Sequence, residues 1–235
     1  MSPAAPTGPL VSCIVPVFNG ERYLGEALDS IFAQTYQSIE VIVADDGSAD
    51  KSRSVAESYG ARLRWVSQAT AGPAATRNLG VRVARGDMLA FLDADDLWKP
   101  RKLEYQVAKL REHPELEACV SHAQMFWAPE LAAEEISCRD HPRAQPIPGY
   151  ASTTLLARRA VFKSIGLFRE DLWFADSTEW FIRFREAKLS LHLIPEVLVL
   201  HRMHSANLTR RGSEASKAEF ANVIAASLSR RRSAL

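Results

Sequence analysis

The chain has 235 residues, 47% hydrophobic and 24% charged, with 29 Lys plus Arg against 28 Asp plus Glu. This balance excludes a disordered or collagen-like chain and leaves room for one sizeable core. A net charge of +1 argues against a protein that binds nucleic acid through its phosphates.

The first half alternates strand and helix signals. Leu10 to Phe18 is a short apolar run dense in β-branched residues and reads as a buried strand. Glu21 to Gln34 carries Leu24, Leu28, Ile31 and Phe32 at helical spacing. Ile39 to Ala44, Leu63 to Val66 and Met88 to Leu92 read as further strands. Helices are expected over Asp50 to Tyr59 and from Pro73 towards Gly86. Strands separated by helices imply βαβ units and a mostly parallel sheet, with ligands beyond the carboxyl ends of the strands.

The second half is less regular. A helix is expected over Leu103 to Leu110, a strand over Ala118 to Trp127, and an irregular excursion with four prolines over 128–149. Asp176 to Lys188 reads as a helix, Leu191 to Val199 as a strand, and Glu214 to Ser229 as a terminal helix. The expected organisation is therefore a short disordered segment at 1–9, a ligand-binding half at 10–127, a less regular half of the same domain at 128–204, and a tail at 205–235. That tail holds six basic and two acidic residues, so a mildly acidic body carries a basic end.

Cys13, Cys119 and Cys138 form no CxxC pair, which fits a reducing compartment. No stretch approaches the ~20 apolar residues of a membrane span, and Met1 to Pro9 lacks the basic and apolar parts of a signal peptide. The expectation is a soluble, cytoplasmic protein.

Polar clusters follow the strands directly: Asn19, Asp45-Asp46, and Asp93 to Asp96. On an extended strand end, Asp93 and Asp95 share a side, and paired hard oxygen ligands suit Mg²⁺ or Mn²⁺. A turn followed by a helix cap explains the same residues without a metal.

Four segments narrow the choice: Val15-Pro16-Val17-Phe18-Asn19, Val43-Ala44-Asp45-Asp46-Gly47-Ser48, Gly72 to Gly80 with Arg77-Asn78, and Phe91 to Trp98 with Asp93-Ala94-Asp95. In this order they resemble the family 2 glycosyltransferases, closely over 10–127 and more loosely to about 210. The resemblance implies the GT-A, Rossmann-like fold: a mostly parallel sheet flanked by helices, with an irregular acceptor-side region and a C-terminal helix. It implies a metal-dependent, inverting transfer of a sugar from a nucleotide-diphospho-sugar, UDP-linked, to an acceptor hydroxyl.

The same resemblance assigns residues. Asp45 and Asp46 would accept hydrogen bonds from the nucleotide base, and a carboxylate suits a uracil-type N–H. Pro16, Phe18 and Asn19 would line the nucleotide pocket, although Phe18 equally fits the core. Glu21 would touch base or ribose, or only favour a helix N-terminus. Arg77 would lie near base or diphosphate, or form a surface ion pair. Asp95 would ligate Mn²⁺ or Mg²⁺, Asp93 would face ribose or metal, and Asp96 would cap the next turn. His201 to Asn207 resembles an R-x-H-x-x-N segment, making His204 a third metal ligand and Arg202 a partner for the leaving diphosphate.

One departure concerns the base that deprotonates the acceptor. Registered on Arg183, Asp176 falls on the family's Glu and Ser177 on its catalytic Asp. Asp176 is then the first choice of base and Glu179, one helical turn on, the second. A plain capping arrangement over Asp176 to Glu179 also accounts for these residues. The departure leaves open a catalytically impaired nucleotide-sugar-binding module. A sugar-1-phosphate nucleotidyltransferase fits less well, because Ser12 to Glu21 has a single glycine and not a Gly-rich basic loop.

In the tail, Phe220, Val223, Ile224 and Leu228 precede Arg230-Arg231-Arg232. This suits a helix packed on the domain or in a homodimer, or a peripheral contact with an anionic membrane. Acceptor preference is expected in 128–180 and the tail.

Overall fold

The structure is a computed structural model that describes residues 8–140, 142–211 and 213–233. The disordered segment expected at 1–9 lies outside these residues except for Gly8 and Pro9, and Pro9 accepts a hydrogen bond from the Tyr36 hydroxyl. The first half runs β1 (Val11–Val17), α1 (Leu24–Phe32), β2 (Ile39–Asp45), α2 (Ser52–Glu57), β3 (Leu63–Ser67), α3 (Pro73–Val83) and β4 (Met88–Phe91). There follow β5 (Leu97–Trp98), α4 (Lys102–Glu112), β6 (Ala118–Trp127), α5 (Ala132–Cys138), β7 (Ile147–Pro148), β8 (Leu156–Arg158) and α6 (Arg159–Ser164). The chain closes with α7 (Asp176–Glu186), β9 (Leu191–Met203), α8 (Leu208–Arg211) and α9 (Ser213–Ser233).

One sheet has the order β3-β2-β1-β4-β8-β6-β9-β5, with β7 attached to β6. The first four positions are parallel, as the βαβ reading requires. Their sequences are apolar on both faces because both faces are covered. Val11, Cys13, Val15 and Val17 point to α1 and α4, while Ile14, Ile42, Leu89 and Phe91 point to α3, α6 and α7. Gly80 on α3 lets that helix approach β1 closely, since a Cβ there would stand 2.4 Å from Ile14.

The second half departs from expectation in instructive ways. The short strand β8 is antiparallel to both β4 and β6, so it turns a parallel sheet into a mixed one. At three residues it is too short to show periodicity. Strand β9 continues to Met203 beyond the expected Val199. Pro195 and Glu196 fall at a register irregularity against β6, since proline cannot donate to the ladder and pairing resumes at Val197. The excursion at 128–149 contains α5 and the two-residue β7. No helix among the described residues is long and apolar enough to cross a membrane.

The tail helix α9 packs on α7. Val223 and Phe220 meet Leu172, Ala175 and Ile182, and Arg230 pairs with Glu186 at 3.1 Å. Ile224 and Leu228, expected on the same packed stripe, remain about half exposed. The body-facing line is instead Phe220, Val223 and Ser227, spaced i, i+3, i+7.

Candidate active site

The loops after β1 and β2 form one rim. Asp45 Oδ1 accepts the Ser48 N–H at 3.1 Å, an Asx turn into Gly47, whose φ is +80°. No hydrogen bond among the described residues reaches its Oδ2. Asp46 is more fully committed: Oδ1 accepts from Gln68 Nε2 and the Ala71 N–H, and Oδ2 from the Gly72 N–H, each at 2.9 Å. Asp46 thus anchors the loop that starts α3. Asn19, itself at φ +50°, accepts from the Ala49 N–H, and Glu21 accepts from the Lys51 N–H. Glu21 therefore ties the segment before α1 to the start of α2. Phe18 is 55% exposed, which rules out its core assignment and leaves an aromatic face on this rim.

Beyond β4 lies a cavity of about 400 Å³. Strand β4 ends at Phe91, and the Asp96 N–H donates to the Asp93 carbonyl at 3.0 Å. Asp93 and Asp95 therefore sit in a tight turn and are not placed by strand alternation. Their carboxylates diverge. Asp93 Oδ1 accepts from Arg77 Nη2 at 2.8 Å, whereas Asp95 Oδ2 lies 2.9 Å from His204 Nε2 and 3.3 Å from Asn207 Nδ2. Arg77, buried on α3, also donates through Nη1 to Asp176 Oδ2 at 2.7 Å. One guanidinium thus bridges β4 and α7, and its Nε is buried without a partner. Asp176 Oδ1 has no hydrogen bond from any described residue.

Electrostatics follow from these pairings. Burial pulls the Arg77 guanidinium down, but Asp176 and Asp93 more than offset it and hold the group above its ordinary range. Burial pushes Asp95 up, yet the His204 hydrogen bond and the charges of His201 and His204 leave it below the usual carboxylate range. Asp96, fully buried, is raised to about 6 by burial, and the charge of Asp96 raises His201 to about 9.

Several expected roles move. Asp96 does not cap a turn; it accepts the Arg202 N–H at 3.0 Å and contacts His201 Nδ1 at 3.0 Å, pinning β9. The extension of β9 places Arg202 inside the strand. Its guanidinium lies between Tyr23 and Phe126, at 4.4 and 4.6 Å, and bonds the Asp95 carbonyl and Glu26. These partners hold the Arg202 guanidinium in place, and it is not among the side chains that line the cavity. Glu179 also lies off the cavity, buried against Arg183 at 2.9 Å, which in turn holds the Ile165 and Leu167 carbonyls. No capping box forms, because Ala175 is the N-cap residue of α7 and has no side-chain cap. The motif reading gave His201 no role and did not point to Tyr150 or Trp173, and all three line the cavity. The Trp173 indole rests on Gly72, where φ is +95° and a Cβ would meet the ring at 3.1 Å.

Among the described residues no three His, Cys, Asp or Glu side chains form a metal-binding group. Asp95 and His204 still offer one carboxylate and one imidazole side by side. This fits a divalent ion that keeps most of its coordination for water and substrate phosphates, and the imidazole suits Mn²⁺ better than Mg²⁺. Asp93 is drawn to Arg77 instead.

Known proteins resemble this chain in sequence or in fold. An uncharacterized glycosyltransferase of Rickettsia typhi is 33% identical over 86% of this chain and 66% of its own length. The uncharacterized glycosyltransferase EpsJ of Bacillus subtilis is 30% identical over 86% of this chain and 63% of its own length. The chain thus spans about two thirds of these relatives. Among solved structures, S. aureus TarS 1–349 in complex with UDP-GlcNAc superposes with a TM-score of 0.70 at 21% identity, covering 84% of this chain and 60% of that one. The mannosyltransferase PcManGT of Pyrobaculum calidifontis, in complex with GDP-Man and Mn²⁺, gives 0.67 at 23% identity, covering 88% and 61%. A model of Glycosyl transferase family 2 matches residues 12–166, and the chain belongs to that family.

Proposed function

We propose that the chain transfers a sugar from a nucleotide-diphospho-sugar, UDP-linked, to an acceptor hydroxyl with inversion at the anomeric carbon. The observation that carries this reading is the Arg77 bridge. It brings Asp176 and Asp93 to one cavity beside the Asp95–His204 pair, and the rim, itself off the lining, is tied to that cavity through Asp46, which holds the Gly72 N–H beneath Trp173.

Pro16, Phe18, Asn19 and Glu21 with Asp45 and Asp46 form the nucleotide side. Asp45 Oδ2 is the carboxylate oxygen left for a base N–H, because Asp46 is occupied by its loop. Asp93 and Arg77 face the ribose and diphosphate. Asp95 and His204 would hold Mn²⁺ or Mg²⁺, which supplies charge neutralisation at the leaving diphosphate.

Asp176 is the general base. Arg77 holds its Oδ2, so Oδ1 is left to take the acceptor proton as the acceptor oxygen bonds to the anomeric carbon. The bond from that carbon to the diphosphate breaks, and its electron pair leaves with the nucleoside diphosphate. Ser177 also lines the cavity and can bond the acceptor, but it is no base at neutral pH.

The test is a thermal-shift series with UDP- and GDP-sugars, with and without Mn²⁺, alongside released nucleoside diphosphate. A Mn²⁺-dependent rise in Tm with a UDP-sugar, together with diphosphate release, is the expected result. No shift with any nucleotide sugar contradicts the reading. A shift without release to any acceptor marks a binding module without transfer.

A further inference from the structure

The acceptor half of the cavity has a composition of its own. Eight large hydrophobic side chains are exposed among the described residues, and four of them, Ile147, Tyr150, Trp173 and Leu208, line this cavity. Such a concentration marks a binding surface. Its charges exclude one kind of occupant. The cations on the lining are Arg77, bound to Asp93 and Asp176, and His201, bound to Asp96. No lysine lines it, and with Arg77 assigned to the donor diphosphate a further phosphate on the acceptor would find no cation of its own. Hydroxyls are plentiful by contrast: Ser152, Thr153, Ser177 and Thr178 share the wall with the aromatic rings.

Resting on the transferase reading, we propose that the acceptor is a neutral saccharide. Its apolar ring face lies on Trp173 and Tyr150, and its hydroxyl edge turns to Ser177, Thr178 and Asp176. Aromatic faces combined with a few placed hydroxyls suit a ligand that is apolar on one side and polar at its edge.

The experiment measures nucleoside diphosphate release from the full chain with neutral hexosides, sugar phosphates and a polyprenyl phosphate as acceptors. Neutral hexosides are expected to raise release at least ~10-fold over the water background, and Tyr150→Ala to raise the acceptor KM ~10-fold with donor KM unchanged. Equal or better use of a phosphorylated acceptor overturns the proposal, as does an unchanged acceptor KM in Tyr150→Ala. Donor binding is read separately by thermal shift. A chain that binds donor but ignores neutral hexosides defeats only this proposal, whereas one that binds no donor defeats the transferase reading as well.

A separate observation concerns α9. Helix α7 begins at Asp176, and its N-cap Ala175 has no side chain to receive the free N–H groups of the first turn. Glu219, from α9, does not reach those groups but fixes the backbone that leads into the helix. Its Oε1 accepts from Phe174 and Ala175, each at 2.7 Å, and its Oε2 from Trp173 at 3.1 Å. Three successive backbone groups, immediately before Asp176 and including Trp173, are thus fixed by one carboxylate 43 positions further along the chain from Asp176.

The geometry assigns Glu219 as a positioning residue for both the base and the Trp173 platform. The tail helix, through this side chain, completes the site. Glu219→Ala is expected to lower kcat ~10-fold or more while donor affinity, read by the Mn²⁺-dependent thermal shift, stays within about 2-fold. Glu219→Gln keeps one acceptor oxygen and should fall between Ala and wild type. Wild-type kcat in Glu219→Ala overturns the assignment, and so does parallel loss of donor binding and transfer, which would indicate a general packing role.

Discussion

Two buried cations solve the same physical problem in opposite ways. Arg77, on α3, meets two carboxylates and faces a cavity. Lys102, on α4, is wholly buried with no carboxylate; its ammonium bonds Gln106 Oε1 at 2.8 Å and lies 4.2 Å from the Trp98 ring centre. Burial lowers the Lys102 ammonium to about 7, while the acids around Arg77 hold its charge in place. The lesson is that a buried charge becomes chemically useful where counter-ions of its own kind of strength share an opening to solvent. Where it has only an amide and a ring, it belongs to the packing.

The sharpest way to break this contrast is to remove Arg77. Arg77→Met strands Asp93 and Asp176, and the cost expected for breaking a buried ion network is ~3–5 kcal/mol of stability, with transfer abolished. Denaturant unfolding beside a turnover assay checks it; unchanged stability would mean that the bridge is slack. Next comes Asp95→Ala, which should remove the Mn²⁺ dependence of donor binding while leaving the fold intact, as seen by calorimetry with and without the ion. Asp46→Ala strands the Ala71 and Gly72 N–H groups and should cost ~2–3 kcal/mol. Its effect on unfolding should exceed its effect on kcat, and the reverse order would return Asp46 to the chemistry.

The smallest expected effect concerns the other cation. An unfolded lysine keeps its proton up to about 10.5, whereas folded Lys102 loses it near 7. Between these values the unfolded chain binds the extra proton, so this group makes stability rise with pH. Lys102→Met should therefore melt higher than wild type at pH 7, with the gap closing towards pH 10 and transfer within about 2-fold of wild type. A gap that stays the same from pH 7 to pH 10 would show that folded Lys102 keeps its charge.

Much of the first half was legible in the chain because its strands are buried on both faces and its acids follow them directly. Val11 to Val17 and Ile39 to Asp45 need no partner to be read as strands, and Arg77, Asp93 and Asp176 came from motif and register. What was hidden depends on distant pairing. Arg202 looked like a free cation until β9 extended past Val199 and folded it between Tyr23 and Phe126. Asp96 looked like a cap until His201, 105 positions away, came to its side. Glu179 shared a helix turn with Asp176, but Arg183 on the same helix claimed it. Glu219 gave no local signal at all, because the N–H groups it receives belong to the segment that leads into another helix.

In the proposed reaction Asp176 Oδ1 takes the acceptor proton. Its most direct test is Asp176→Asn, with donor affinity and single-turnover transfer measured on the same preparation. Donor binding within about 2-fold of wild type and transfer slower by at least ~100-fold are expected. Transfer at the wild-type rate from that variant would contradict this role.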